Sequence, residues 1–234
     1  MSIADNLAAV RKRIAAAARR TGRRPEDIAL MAVSKTFPAD AIREAYAAGQ
    51  RLFGENRVQE FADKSAALTE LRDAAFHLIG HLQSNKAARA AQLFSAIDSL
   101  DSLALARRLD AAAAKADRRL AVLIEINVGG EDAKSGLPPD SPELEQLLTA
   151  AAELEHLNFR GFITIPPFTD DPEGARPYFR ILRQLRDRVL VRHLPAIATN
   201  VLSMGMSHDF EVAIEEGSTC VRLGTAIFGE RMKL

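Results

Sequence analysis

The feature that most constrains the fold is an alternation of two textures along the chain. Short apolar, β-rich runs occupy 28–36, 51–54, 76–82, 96–100, 121–128, 159–165, 198–204 and 220–224. Helical patterns separate them at 39–48, 58–71, 86–93, 102–116, 141–154, 174–191 and 209–216. Parallel neighbours need a crossover, and strand–helix alternation supplies one each time. The run Val122-Leu123-Ile124-Glu125-Ile126 lacks a polar face, as a strand buried on both sides should. Eight strands with seven intervening helices and no linker predict an α/β fold, a single-domain (β/α)8 TIM-type barrel spanning 1–234. Periodicity does not show closure, so an open parallel sheet is the alternative. Ile3, Leu7, Val10 and Ile14 repeat at helical spacing and add an N-terminal helix within 1–22, packed on the barrel.

Composition narrows the partners. Of 234 residues 47% are hydrophobic, enough for a substantial core, and 31 basic residues balance 31 acidic ones. That balance argues against bulk attraction to nucleic acid or an anionic membrane. Arg11, Lys12, Arg13, Arg19, Arg20, Arg23 and Arg24 do cluster, but without aromatic stacking residues they read as a solvated helix face. An Ala/Arg-rich start also suits a transit peptide; Asp5 and the Ser2-x-x-Asp5 cap favour a folded helix. Cys220 is the only cysteine, which excludes a disulfide within the chain and a cysteine-based zinc site. No apolar run reaches membrane-spanning length. The expectation is a cytoplasmic monomer with no nucleic-acid or membrane partner.

In a barrel, chemistry sits at the C-terminal ends of the strands, and the loops after strands 7 and 8 are a frequent phosphate site. Here those loops are Ser203-Met204-Gly205-Met206-Ser207 and Gly224-Thr225-Ala226-Ile227-Phe228-Gly229. Their hydroxyls and glycines suit a backbone cradle for phosphate; Ser207 and Asp209 taken singly serve equally well as caps of the following helix. Lys35 closes strand 1, which neighbours strand 8 once the barrel closes. Its apolar neighbours Val33 and Phe37 would desolvate the amine and free it as a nucleophile; a solvated strand-end lysine is the bland alternative. Arg222 lies between Val221 and Leu223, where a charge is costly unless paired. It either pairs with a structural carboxylate such as Glu125 or faces an acceptor in the site. A phosphate cradle, a buried arginine and a strand-end lysine together suggest a phosphorylated aldehyde held as an imine on Lys35.

Gly54-Glu55-Asn56-Arg57 and Gly80-His81-Leu82-Gln83-Ser84-Asn85-Lys86 place polar groups on the same rim. His77 and His81 lack the shared helical face of a zinc pair, so no metal is expected. The glycine-rich loop 127–139 is a candidate closing element, with Lys134 as a second amine.

The segments Ala32-Val33-Ser34-Lys35, Phe53-Gly54-Glu55-Asn56-Arg57-Val58-Gln59-Glu60, Gly80-His81-Leu82-Gln83-Ser84-Asn85-Lys86, Leu202-Ser203-Met204-Gly205-Met206-Ser207 with Asp209, and Arg222-Leu223-Gly224-Thr225-Ala226-Ile227-Phe228-Gly229 resemble the YggS/PROSC family of pyridoxal phosphate homeostasis proteins. The likeness runs nearly end to end and in order, with His208 in a variable slot and Leu223 a mild apolar swap. It implies a barrel similar to the N-terminal half of alanine racemases, with pyridoxal 5′-phosphate on Lys35 and Asn56 on the rim beside it. It also implies phosphate contacts from Ser203, Met204 and Ser207 in the first turn and from Gly224 and Thr225, with Arg222 near the pyridine nitrogen. Members hold or deliver the cofactor to PLP-dependent apo-enzymes without an established turnover.

Two enzyme readings compete. A racemase needs an acid/base on each face of the substrate carbon. The barrel racemases draw the second, a tyrosine, from an added β domain that this chain is expected to lack; its only tyrosines are Tyr46, within a helix, and Tyr178, near the start of another, from where it could approach the rim and leave a weak racemase-like side activity open. A lysine-imine aldolase on a sugar phosphate would use the same lysine and cradle, with Glu125 and Asp98 as candidates by position.

Overall fold

The computed structural model describes residues 2–131 and 135–230. Eight parallel strands run in order around the barrel: β1 (Ala29–Val33), β2 (Leu52–Glu55), β3 (Ala75–Leu78), β4 (Ala96–Leu100), β5 (Leu120–Glu125), β6 (Leu157–Ile163), β7 (Ile197–Ser203) and β8 (Cys220–Leu223). The last returns to the first, Ala29 opposite Cys220 through Ala32 opposite Leu223. That pairing decides closure against the open sheet. Outside lie α2 (Ala39–Ala47), α3 (Val58–Ser65), α4 (Ala87–Leu93), α5 (Leu103–Lys115), α6 (Pro142–Ala150), α7 (Arg176–Leu190), α8 (Phe210–Glu215) and the short α9 (Thr225–Phe228).

Alternation along each strand sorts the side chains. Phe53, Leu78, Ile97, Val122 and Phe162 point outward and join the helices in the main core. Each such side chain, fully removed from water, contributes roughly 2 kcal/mol of transfer free energy. Met31, Val33, Ile79 and Cys220 form a separate cluster inside the barrel. Stability therefore rests on the outer layer, which leaves the interior to carry polar groups.

Sequence and structure differ mainly at the C-terminal ends of strands. The apolar runs overshoot β1, β3 and β5 because the chain stays buried after pairing ends; Ile79, Leu82, Ile126 and Val128 are buried beyond their strands. Lys35 consequently lies in the turn after β1, two residues past Val33, and not at the strand's last position. Two helical runs finish as 3₁₀ turns, Ala66–Leu68 and Ala151–Glu153.

The N-terminal helix α1 (Ile3–Arg20) begins with a capping box, Ser2 and Asp5 exchanging hydrogen bonds. It packs against α8 and α9, across the seam where β8 meets β1. Arg11, Lys12, Arg13, Arg19 and Arg20 are exposed, as a solvated face requires, and two of these arginines also pair across to α8. Arg13 pairs with Glu211 at 3.0 Å, Arg20 with Glu215 at 2.8 Å, and Arg23 donates to the Ile214 carbonyl at 3.0 Å. Arg13 also covers the Phe210 ring. The basic stripe is thus a fastener between α1 and α8, because α8 turns its carboxylates and last carbonyls toward it. No helix among the described residues is long and apolar enough to cross a membrane.

Candidate functional site

The turn after β1 is held from beneath by charge. Glu55 ends β2 and is fully buried. One of its oxygens accepts from the Ser34 hydroxyl at 2.7 Å, and both accept from Lys64 of α3 at 2.9 and 3.0 Å. Lys64 also reaches the carbonyls of Ser34 and Phe37 and the Glu60 carboxylate. Glu60 accepts from the Thr36 N–H at 2.6 Å. Thr36 has φ 68°, a left-handed conformation unusual for a residue with a branched side chain. Lys35, half-buried, sits between these tethered neighbours. Burial pushes the Glu55 carboxyl above its usual range, against the pull of Lys64 and the Ser34 bond.

The turns after β7 and β8 form one surface. Gly205 takes φ 97°, and a Cβ there would lie 2.6 Å from that of Ala213 and 2.9 Å from the Phe210 Cα. Only glycine lets this turn lie on α8. Asp209, at the start of α8, aims its carboxylate backward and accepts from the Met206 N–H at 2.6 Å. It shapes the turn instead of capping the helix. The Ser207 hydroxyl accepts from the Ala226 N–H at 3.4 Å and links the two turns. Gly224 follows β8 beside Val33, and Thr225 begins α9 in an exposed position. The Phe37 ring stacks on Phe228 at 4.9 Å, which ties the Lys35 turn to the β8 turn.

Arg222 crosses the barrel interior and is almost wholly buried. Its guanidinium donates to the Ser203 hydroxyl at 2.8 Å and to the Thr164 carbonyl at 2.7 Å. No carboxylate lies within ion-pair distance of it among the described residues, so the pairing with Glu125 does not form. Burial pulls its pKa below the ordinary arginine range, opposed by Cys220, Asp98, Asp209 and Glu125. Among the described residues these two hydrogen bonds use two of five N–H donors, leaving donors for a further acceptor. Glu125 itself accepts from Ser135 at 3.0 Å, has a second buried oxygen with no partner among the described residues, and is pushed up by burial.

The structure thus gathers Lys35, Ser207, Arg222, Gly224 and Thr225 where β1, β7 and β8 meet, with Asn56 after β2 on the same rim. Asn56 is pinned by close packing, since a Cβ on Gly80 would lie 2.3 Å from its carbonyl oxygen. Two residues sit differently from the expectation. The Ser203 hydroxyl is fully buried and serves Arg222. The Met204 side chain lies in the main core, and its N–H and carbonyl are bonded to Cys220 and Ser218. Sequence reading missed Thr164 and Lys64. The only available signal for Lys64 was its spacing of four from Glu60 on a helix. His77 and His81 pair with Asp98 and Asp101 at 3.1 and 3.0 Å, and no metal-holding group exists among the described residues. The loop after β5 is anchored at both ends by Asn127 to Leu137 and Leu137 to Glu125 backbone bonds. Lys134 lies outside the described residues.

Comparison with known proteins places this geometry. The family model for the alanine racemase N-terminal domain matches residues 6–232. The pyridoxal phosphate homeostasis protein of Escherichia coli (strain K12) is 48% identical over 233 residues, covering 98% of this chain and 97% of that protein. Its namesake in Aquifex aeolicus (strain VF5) is 46% identical over 231 residues, 99% of each. The solved structure of PipY from Synechococcus elongatus PCC7942, with PLP bound, is 39% identical, superposes with a TM-score of 0.86, and is covered completely by 97% of this chain. With matches of this depth over its whole length, the chain belongs to the alanine racemase N-terminal domain family, among the pyridoxal phosphate homeostasis proteins.

Proposed function

We propose that this chain binds pyridoxal 5′-phosphate at Lys35 and stores, buffers or delivers it, without turning over a substrate of its own. The carrying observation is Arg222: a buried guanidinium with donors to spare, on the strand paired with the one that leads to Lys35. When bound, the cofactor supplies an electrophilic aldehyde and an aromatic ring. Lys35 attaches the aldehyde, the turns at Gly205–Ser207 and Gly224–Thr225 receive the phosphate through backbone N–H groups, and Asn56 borders the ring. Arg222 does not give up its proton, so it donates to the pyridine nitrogen and keeps that nitrogen unprotonated. An unprotonated pyridine is a weak electron sink, which suits holding the cofactor better than carbanion chemistry. Ser203 and Thr164 aim the guanidinium. The PLP-bound structure of PipY, with its high similarity, supports this reading.

The two tyrosines support the absence of racemisation. Tyr46 bonds Asp73 and carries Arg51 over its ring, at the end of the barrel where the strands begin. Tyr178 packs against the outer core from α7. The same reading makes the protein a cytoplasmic monomer, formed of one domain, whose partners are PLP-dependent apo-enzymes.

An absorption spectrum before and after borohydride, followed by peptide mapping, tests it. A reducible band with the adduct on Lys35, lost in Lys35→Ala while phosphate-anchored binding persists weakly, is expected. No chromophore after adding pyridoxal phosphate overturns it in favour of a sugar-phosphate substrate. Measurable amino-acid racemisation by the loaded protein overturns the non-catalytic part alone.

A further inference from the structure

We infer that Glu55, Lys64 and Glu60 form a clamp that positions Lys35 for attachment; the inference rests on the reading above that Lys35 is the point of attachment. Attachment requires the Lys35 nitrogen to bond the aldehyde carbon while the carbonyl oxygen leaves as water with the two amine protons. No redox change or further reactant is involved. The rate depends on holding the nitrogen in line with the carbonyl while the phosphate is anchored elsewhere.

The clamp grips the turn on both sides of Lys35. Before it, the Ser34 hydroxyl donates to Glu55 and the Ser34 carbonyl accepts from Lys64 at 3.2 Å. After it, the Thr36 N–H donates to Glu60 at 2.6 Å and the Phe37 carbonyl accepts from Lys64 at 3.3 Å. The Lys64 ammonium unites the three, bonding both Glu55 oxygens and Glu60 Oε1. An ammonium has three N–H donors and meets five acceptors here, so its bonds are shared and its position is over-determined. This arrangement also accounts for Thr36 at φ 68°, a conformation that persists only when the surroundings enforce it. An ordinary helix–sheet ion pair would need one carboxylate and no backbone contacts. Here both carboxylates and the cation converge on the four residues that carry Lys35. The three are positioning residues, since none needs to touch the cofactor.

The test uses Lys64→Met and Glu60→Met in the full chain, with two readouts. One is the rate at which pyridoxal phosphate becomes borohydride-trapped on Lys35. The other is the affinity for pyridoxine 5′-phosphate, which has ring and phosphate but no aldehyde. Trapping should slow by about 10- to 100-fold in both variants, while pyridoxine phosphate affinity stays within about twofold. Trapping at the wild-type rate in either folded variant overturns the clamp, and so does an equal loss of both readouts. Should Lys64→Met fail to fold, Glu60→Met decides alone, because that carboxyl is partly exposed and removes only the grip on Thr36 and one Lys64 contact. A wild-type protein that gives no adduct on Lys35 overturns the attachment reading itself, and the clamp with it.

Discussion

The two ends of the barrel are built on opposite plans. Where the strands end, buried polar groups crowd both faces of the sheet: Ser203 and Arg222 inside the barrel, Ser34 and Glu55 outside it against α3, and Thr164 and Asp209 in the segments that follow β6 and β7. Nearly all of them are engaged by more than one partner. Where the strands begin, Ala29, Met31, Ala96, Ala121, Leu123 and Val201 border a cavity of about 240 Å³. The hydrogen-bonded pair on its wall is His77 with Asp98, at 3.1 Å. Both ends are built on the same eight strands. The contrast shows what each end is for: small apolar residues and a void suffice where nothing must be placed, whereas an atom held in a fixed direction needs a satisfied polar network around it.

The largest expected effect comes from breaking that network at its cation. Lys64→Met leaves the Glu55 carboxylate buried with only the Ser34 hydroxyl. An ion stranded this way costs about 3 kcal/mol or more of stability at neutral pH. Urea unfolding of Lys64→Met should show that loss, and Glu55→Gln/Lys64→Met should recover at least half of it, since the two substitutions couple. The sign with pH follows from the Glu55 carboxyl being raised by burial. A group raised in the folded state takes up its proton readily there, so the deficit of Lys64→Met shrinks as acid protonates Glu55. A deficit unchanged by the second substitution would mean that α3 packing, not the stranded charge, carries the effect.

This contrast also explains how much was legible in the sequence. Backbone-driven features read well, because apolar periodicity and turn chemistry report local constraints: eight strands, their order, and the Gly205 and Gly224 turns. Lys35 was visible because its position at the end of β1 follows from topology. Its displacement into the turn was not, because buried Leu82 and Val128 show that apolar runs continue past the last ladder bond. The partners of Arg222 were invisible for a different reason. Thr164 acts through its carbonyl, which every residue has, and Arg222 reaches it across β7, a side-chain span that no sequence spacing reports. Lys64 looked like an ordinary surface residue of an amphipathic helix. Its role comes from pointing inward between β1 and β2, which no periodicity encodes.

At the opposite end, His77 offers a smaller and oppositely signed pH response. Burial lowers its pKa, but Asp98, through charge and hydrogen bond, outweighs burial and leaves it raised. A histidine raised above its ordinary value of about 6.5 stabilises the fold fully below that pH and loses its contribution as pH climbs through the folded value. Wild-type stability relative to His77→Gln should therefore be greatest in mild acid and decline toward alkaline pH. Attachment at Lys35 should not follow the same curve, because His77 lies toward the other end of the barrel. A parallel pH dependence of the two would show that the ends are coupled.

The smallest effect is the most discriminating, since it adds carbon to both plans. Ala121→Val places two methyl groups toward the cavity of about 240 Å³. Valine also suits a strand, and filling such space commonly raises stability by about 0.5–1 kcal/mol. Gly54→Ala adds a single methyl toward the same interior but nearer the strand ends, where its Cβ would meet the Met31 sulfur at 2.8 Å and Ile79 Cδ1 at 3.1 Å. Met31 is flexible and borders the cavity, so it yields part of that space and the overpacking costs only about 1 kcal/mol, while still pressing on the strand that delivers Glu55 to the clamp. Urea midpoints should therefore move in opposite directions, with trapping on Lys35 unchanged in Ala121→Val and slowed in Gly54→Ala. If both substitutions lowered stability alike, the void would have no room to spare, and the strand-start end of the barrel would be packed as tightly as the rim.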